Sequence, residues 1–195
     1  DGRLGGGALH RADHFGVQWA VALLPEQSKQ RCLDLGTGSG AVALAIKHEL
    51  PTSTVTAVDL SEPALNVART NGQQLQLEVE WLVGSWFEPV AAGEFDLVVA
   101  NPPYIREDDD HLHQGDLPSE PKMALTSGID GLHALRQLAA DGQSALGPGG
   151  WMLLEHGWDQ GPDVRDLLVT HGWQAVETRR DLAGRERVTG GHKPL

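Results

Sequence analysis

Arg31-Cys32-Leu33-Asp34-Leu35-Gly36-Thr37-Gly38-Ser39-Gly40-Ala41-Val42-Ala43-Leu44-Ala45-Ile46 holds a complete structural unit. Residues 31–35 read as the first strand. Three glycines in the next five positions permit a tight turn and a close approach of backbone to a ligand. Ala41, Val42, Leu44, Ala45 and Ile46 then read as a helix. Strand, glycine loop and helix in that order open a parallel α/β sheet.

Working outward, residues 54–58 read as a second strand ending in Asp59. Ser61 is placed to cap a helix with Pro63 in its first turn, running to about Asn71 with Gly72 beyond it. A third strand spans 78–83, with the loop Gly84-Ser85-Trp86-Phe87 at its end, and a fourth spans 95–100. A long irregular segment leads to a helix over 130–145, with Leu132, Leu135, Leu138 and Ala139 on one face. Pro148-Gly149-Gly150 reads as a turn before a strand at 151–154. A helix over 162–171 is stopped by Gly172, and strands at 173–178 and 187–190 close the chain as an antiparallel edge pair. At the other end, a glycine-rich arm (1–9) precedes a short helix from His14 to Leu24, ended by Pro25. The division expected is an arm with a short helix over 1–21 and one catalytic domain over 22–195, a length that suits a single core.

The glycine loop leaves two ligands open. Asp59 ends the next strand about 20 residues on, where an acid meets ribose hydroxyls. Gly36, Gly38 and Ala41 satisfy the permissive dinucleotide pattern, so a nicotinamide cofactor is a fair rival. Asp34 would crowd a pyrophosphate but suits a ligand ammonium, and Gly40 lets the backbone approach a compact ligand. S-adenosylmethionine has ribose, adenine, an amino-acid tail and no phosphate, and this inventory favours it.

The fourth strand adds the second half of the site. Leu97-Val98-Val99-Ala100 runs into Asn101-Pro102-Pro103-Tyr104, where two prolines forbid continuation of the strand. In an open parallel sheet, ligands bind at the carboxyl ends of strands. The Asn101 side-chain oxygen and a carbonyl near Pro102 make two acceptors that suit an NH2 group, and Tyr104 offers a flat face. Trp86 borders either the adenine or the methyl group, or is a core or lid aromatic.

Composition narrows the classes. The net charge of −12 argues against a broad nucleic-acid surface. No apolar run approaches the ~18–20 residues of a membrane span. Cys32 is the only cysteine, which fits a reducing compartment and an inert core thiol. His111 and His113 lie near Asp108, Asp109 and Asp110, a crowding more typical of a solvated surface than of a metal site, so no metal is expected. Glu155-His156 ends a strand near the presumed site, either as an acid–base group or to fix loops.

Asp34-Leu35-Gly36-Thr37-Gly38-Ser39-Gly40 with Ala57-Val58-Asp59, Gly84-Ser85-Trp86-Phe87, Asn101-Pro102-Pro103-Tyr104-Ile105 and Leu154-Glu155-His156-Gly157 resembles the HemK/PrmC family. His113-Gln114-Gly115-Asp116, Glu120-Pro121, Ala124-Leu125, Gly128, Asp130-Gly131-Leu132, Pro148-Gly149-Gly150 and Glu186-Arg187-Val188 extend the resemblance over roughly residues 22–190. The Asn-Pro-Pro-Tyr motif alone is less specific, being shared with amino-methylating DNA enzymes.

The resemblance implies a class I S-adenosylmethionine-dependent methyltransferase: a doubly wound, Rossmann-like α/β fold with a mostly parallel seven-stranded sheet. It implies N5-glutamine methylation, with class 1 peptide chain release factors and their Gly-Gly-Gln glutamine as substrate. Asp34, Gly36, Thr37, Gly38, Ser39, Gly40, Asp59, Trp86 and Asn101 would bind the cofactor. Asn101, Pro102, Pro103 and Tyr104 would hold the glutamine amide, with Asn101, Pro102 and Tyr104 as the catalytic set. A cytoplasmic monomer is expected, without membrane or direct nucleic-acid binding. Family members also carry a small N-terminal helical domain that this sequence does not show, so it reads as a catalytic domain. Of the Arg-Pro-Asp/Glu-Thr-Glu motif that precedes the family's core, only Arg11 and Asp13 have counterparts, in Arg11-Ala12-Asp13-His14-Phe15. A ribosomal-protein glutamine methyltransferase is the nearest alternative; a nucleic-acid adenine N6-methyltransferase and a non-catalytic binding module are further ones.

Overall fold

The computed structural model describes residues 14–24, 29–104, 128 and 130–195. Among these, seven strands form one sheet: β1 (Arg31–Leu35), β2 (Thr54–Asp59), β3 (Glu80–Val83), β4 (Phe95–Ala100), β5 (Leu146–Glu155), β6 (Gln174–Arg180) and β7 (Glu186–His192). The order across the sheet is β3-β2-β1-β4-β5-β7-β6. Strands β1 to β5 pair in parallel, whereas β7 runs antiparallel to both β5 and β6. The expected antiparallel pair is present, with the last strand inserted inside and β6 at the edge. The chain winds from β1 through β2 to β3, then returns to lay β4 on the other side of β1. That reversal opens a crevice at the carboxyl ends of β1 and β4.

Alternation along the strands divides the core. Cys32, Val55, Ala57, Leu97, Val99 and Leu153 face α1 (His14–Leu23) and α2 (Ala41–Glu49). Leu33, Leu35, Val58, Val98, Met152 and Leu154 face α4 (His133–Ala145) and α5 (Gly161–Thr170). Helix α3 (Glu62–Leu75) covers β2 and β3, with Leu65 and Ala68 fully buried. The division expected at residue 21 falls inside α1, whose Val17, Trp19 and Ala20 are buried in the same core.

Among the boundaries that differ from expectation, three do so for a tertiary reason. Helix α3 continues through Gly72 to Leu75 and ends at Gln76, which takes the left-handed conformation (φ 57°). A side chain at Gly72 would press on the Leu77 carbonyl (3.3 Å) and on Trp81 (3.4 Å), so this glycine answers packing rather than a helix stop. Helix α4 starts at His133 instead of 130, because Gly131 sits at φ +71° and Asp130 folds back to accept from the Leu132 N–H. Strand β5 begins at Leu146, and Pro148-Gly149-Gly150 is a bulge within it. Phe95 pairs with Leu146 and Leu97 with Trp151, and Gly149 at φ +73° absorbs the extra residues.

Candidate active site

Two carboxylates shape the glycine loop. Asp34, 2% exposed, accepts on Oδ2 from the Thr37 hydroxyl (2.6 Å) and from the Ala43 N–H in the first turn of α2 (3.1 Å). Asp59 accepts on Oδ2 from the Gly38 N–H and on Oδ1 from the Ser61 N–H, both at 2.8 Å. The Gly36 and Thr37 N–H groups donate to the Val58 carbonyl (2.8 and 3.1 Å), so the loop is tied to the end of β2 as well as β1. Asn71 on α3 donates its amide to the Ser39 carbonyl (3.0 Å). Gly40 lies at φ +82°, and a Cβ there would meet Trp81 at 2.8 Å and Ala68 at 3.0 Å. Glycine at 40 is therefore demanded by the packing of α2 on α3 and β3, a reason separate from ligand approach. Gly38, at φ +55°, has no atom within 4 Å of its Cβ direction among the described residues, so the loop is open to solvent there.

The fourth strand delivers Asn101 beside this loop. Asn101 is exposed, Pro102 is buried, and Pro103 and Tyr104 are half-buried. Trp86 follows β3 in a left-handed conformation (φ 44°). Its ring edge lies 3.5 Å from the Cβ direction of Gly36, and the Asn101 carbonyl oxygen lies 3.9 Å from the same point. Gly36, Trp86 and Asn101 thus converge where β1 and β4 end. Trp86 and Tyr104 also lean on the α4–α5 core, so the aromatic at 86 is a core residue and a rim residue together. A shallow open groove includes Asn101 on the α1–α2 face, lined also by Gly16, Val17, Val42, Val99, Glu155 and Val188.

His156 takes the loop-fixing role. It is fully buried; its Nδ1 faces the Gly157 carbonyl (2.8 Å) and its Nε2 faces the Thr189 hydroxyl (2.7 Å). A carbonyl only accepts, so Nδ1 carries the proton and Nε2 accepts. Thr178 then donates to Thr189, and Arg165 donates to Thr178 (2.8 and 2.7 Å). Burial pushes the His156 pKa below the usual histidine value. Cys32 is buried and its thiol is pushed up to about 12, first by burial and then by Asp96, as inert core requires. Among the described residues no cluster of His, Cys, Asp or Glu could hold a metal; His111 and His113 lie outside them. No helix among the described residues is long and apolar enough to cross a membrane.

The methyltransferase small domain profile matches residues 10–117, over half of the chain. The chain belongs to the methyltransferase small domain family. A release factor glutamine methyltransferase of Xylella fastidiosa (strain Temecula1) is 52% identical over 91% of this chain and 65% of its own length. The protein of the same name from Escherichia coli K12 is 44% identical over 90% of this chain and 63% of its own. The chain thus spans slightly less than two thirds of these relatives. A crystal structure of a release factor-specific protein-(glutamine-N5) methyltransferase from Alicyclobacillus acidocaldarius superposes with a TM-score of 0.59 at 26% identity, covering 100% of both chains. A Pyrococcus furiosus methyltransferase at 18% identity, covering 91% of this chain and 82% of its own, superposes with a TM-score of 0.68 and supports the fold. The resemblance carried by the motifs is matched by relatives of that name, and the expected class I fold by these structures.

This methyltransferase small domain gathers Gly36, Gly38, Asp59, Trp86 and Asn101 on one rim, while Asp34 lies beneath the loop. Two features escaped the sequence reading. Leu60, 66% exposed, follows Asp59 on the rim; a large apolar residue directly after the acid was the available signal. Gln160, 4% exposed, bonds to the Tyr104 carbonyl across 56 positions of chain, and no local pattern announces it.

Proposed function

We propose that this chain transfers a methyl group from S-adenosylmethionine to the side-chain amide nitrogen of a protein glutamine, that of the Gly-Gly-Gln tripeptide in class 1 peptide chain release factors. The observation that carries the reading is the convergence of the Asn101 tip with Gly36 and Trp86 at the switch point of the sheet. The residues fit the cofactor. Asp59 stands oriented by two backbone N–H groups, with outward lone pairs for ribose hydroxyls. The open face at Gly38 admits a ligand, Leu60 and Trp86 offer apolar walls, and Asp34 stiffens the loop from beneath. Asp34, Gly36, Thr37, Gly38, Ser39, Gly40, Asp59, Trp86 and Asn101 form the cofactor set of this proposal. Bound there, S-adenosylmethionine supplies a methyl group on a positively charged sulfur.

An amide nitrogen is a weak nucleophile, because its lone pair is delocalised into the carbonyl. The Asn101 side-chain oxygen and the Pro102 carbonyl accept the two amide hydrogens and turn the nitrogen toward the glycine loop. Pro103 keeps the backbone of the tip rigid, and Tyr104 packs on the flat amide. Positioning of this kind supplies on the order of several kcal/mol of the barrier. The two oriented acceptors add stabilisation as positive charge grows on nitrogen, and the surplus proton leaves to water. In this proposal the reaction takes place in the cytoplasm and the enzyme acts as a monomer.

The test is incubation with S-adenosylmethionine and a purified release factor, followed by peptide mass spectrometry. One methyl on the Gly-Gly-Gln glutamine is the expected product. Cofactor binding without that methyl would redirect the search to another protein glutamine, such as one in a ribosomal protein. Loss of both would overturn the reading.

A further inference from the structure

We infer that Gln160 is a positioning residue for the amide-binding tip, an inference that rests on the reading of that tip given above. Gln160 occupies the N-cap position of α5 without using its side chain to cap the helix, and is 4% exposed. Its Oε1 accepts from the Gly157 N–H (2.8 Å), and its Nε2 donates to the Tyr104 carbonyl (3.1 Å), with the Gly131 carbonyl at 3.5 Å. One side chain therefore joins three segments: the loop after β5, the tip after β4 and the turn before α4.

The orientation of the amide is dictated by its partners. Gly157 presents a donor and Tyr104 an acceptor, so a flipped amide would face like against like at both ends. Gly131 closes the clamp from the other side. A Cβ at Gly131 would collide with the Tyr104 carbonyl oxygen and stand 2.9 Å from the Gln160 Nε2. The Gly157 carbonyl is itself held by the His156 ring and by the Gln160 backbone N–H (3.0 Å). Tyr104 is thus anchored at its carbonyl, three residues beyond Asn101, and the direction of the tip depends on that anchor. Gln160 lies behind the tip and acts through Tyr104.

Substitution separates this role from general packing. Gln160→Met keeps the length and loses both hydrogen bonds. Gln160→Glu sets a carboxylate oxygen against the Tyr104 carbonyl when ionised, and restores a donor when protonated, a form that burial favours. Tyr104 is the chain's only tyrosine, so tyrosine labelled with 13C at its carbonyl gives one signal, reporting the anchored bond itself. In Gln160→Met the signal should move upfield. The turnover kcat on release factor glutamine should fall roughly ten- to a hundredfold, the scale of a small misplacement, with affinity for S-adenosylmethionine unchanged. For Gln160→Glu, activity relative to wild type should climb as pH falls from about 8 to about 6, while the same ratio for Gln160→Met stays flat. An unmoved carbonyl signal, an unchanged kcat in Gln160→Met, or a flat ratio for Gln160→Glu overturns the inference. A wild-type protein that methylates no glutamine overturns instead the reading of the tip on which it rests.

Discussion

Asp34 is the next-to-last residue of β1 and Asp59 the last of the neighbouring β2, yet the tertiary structure gives them different surroundings. Asp34 is buried and faces the loop and helix from within, whereas Asp59 stands at the rim. Both were visible in the sequence as acids flanking a glycine loop; which faced inward was not, because that depends on the β1–β2 register. Asn101 was equally visible, since prolines after an apolar run leave few alternatives to a strand tip. Asn101→Ala should abolish glutamine methylation while weakening affinity for S-adenosylmethionine much less than Asp59→Ala does, measured by turnover and by titration; unchanged turnover would sink the proposed role. His156 makes a pH prediction. Its pKa is lowered by burial, so the unfolded ring binds a proton first as the pH drops below about 6.5. Stability from this residue is complete above that value and is lost as the pH falls toward the buried ring's own pKa. Urea unfolding at about pH 7.5 and about pH 5.5 should show a larger loss for wild type than for His156→Gln. Equal losses would exclude His156 from the acid response.

At the scale of elements, β1, β2 and β4 were readable because each is a short apolar run with a sharp local stop. The end of α3, the start of α4 and the bulge in β5 were not, and all three turn on glycines. Local rules take Gly72 as a helix stop, but Trp81 and Leu44 need the space that a side chain would fill. Gly131 sits in a turn that leaves Tyr104 and Gln160 room to meet. Gly40 gives a direct test of such packing. Gly40→Ala adds a methyl against Trp81 and Ala68 at a left-handed position, and should cost about 1–3 kcal/mol in urea unfolding. Gly38→Ala brings no such collision, because nothing described lies within 4 Å, and it should cost less. A reversed ranking would show that packing does not govern this loop.

For the whole molecule, ligand binding and folding stability are linked. S-adenosylmethionine at a hundred times its Kd should stabilise the protein by about 2.7 kcal/mol, a rise in Tm of roughly 5–10 °C for a chain of this size. Asp59→Ala at the same ligand concentration should show a clearly smaller rise in a thermal melt; an equal rise would remove Asp59 from the site. Arg179 and Arg180 keep the β6 edge polar, and the Arg165–Glu186 and Arg180–Glu186 ion pairs join that edge to α5 and β7. Composition indicated an acidic chain with no broad basic face, but not how its charges pair. Periodicity, turn residues and the two flanking acids sufficed to read the α/β order and the glycine loop, because strands, turns and caps are settled by chemistry within a few residues. The close meeting of Gly36, Trp86 and Asn101, the buried His156 chain and the Gln160 clamp were settled only by folding. Their partners lie on different strands and helices, and nothing local to any one of them encodes the distance to the others.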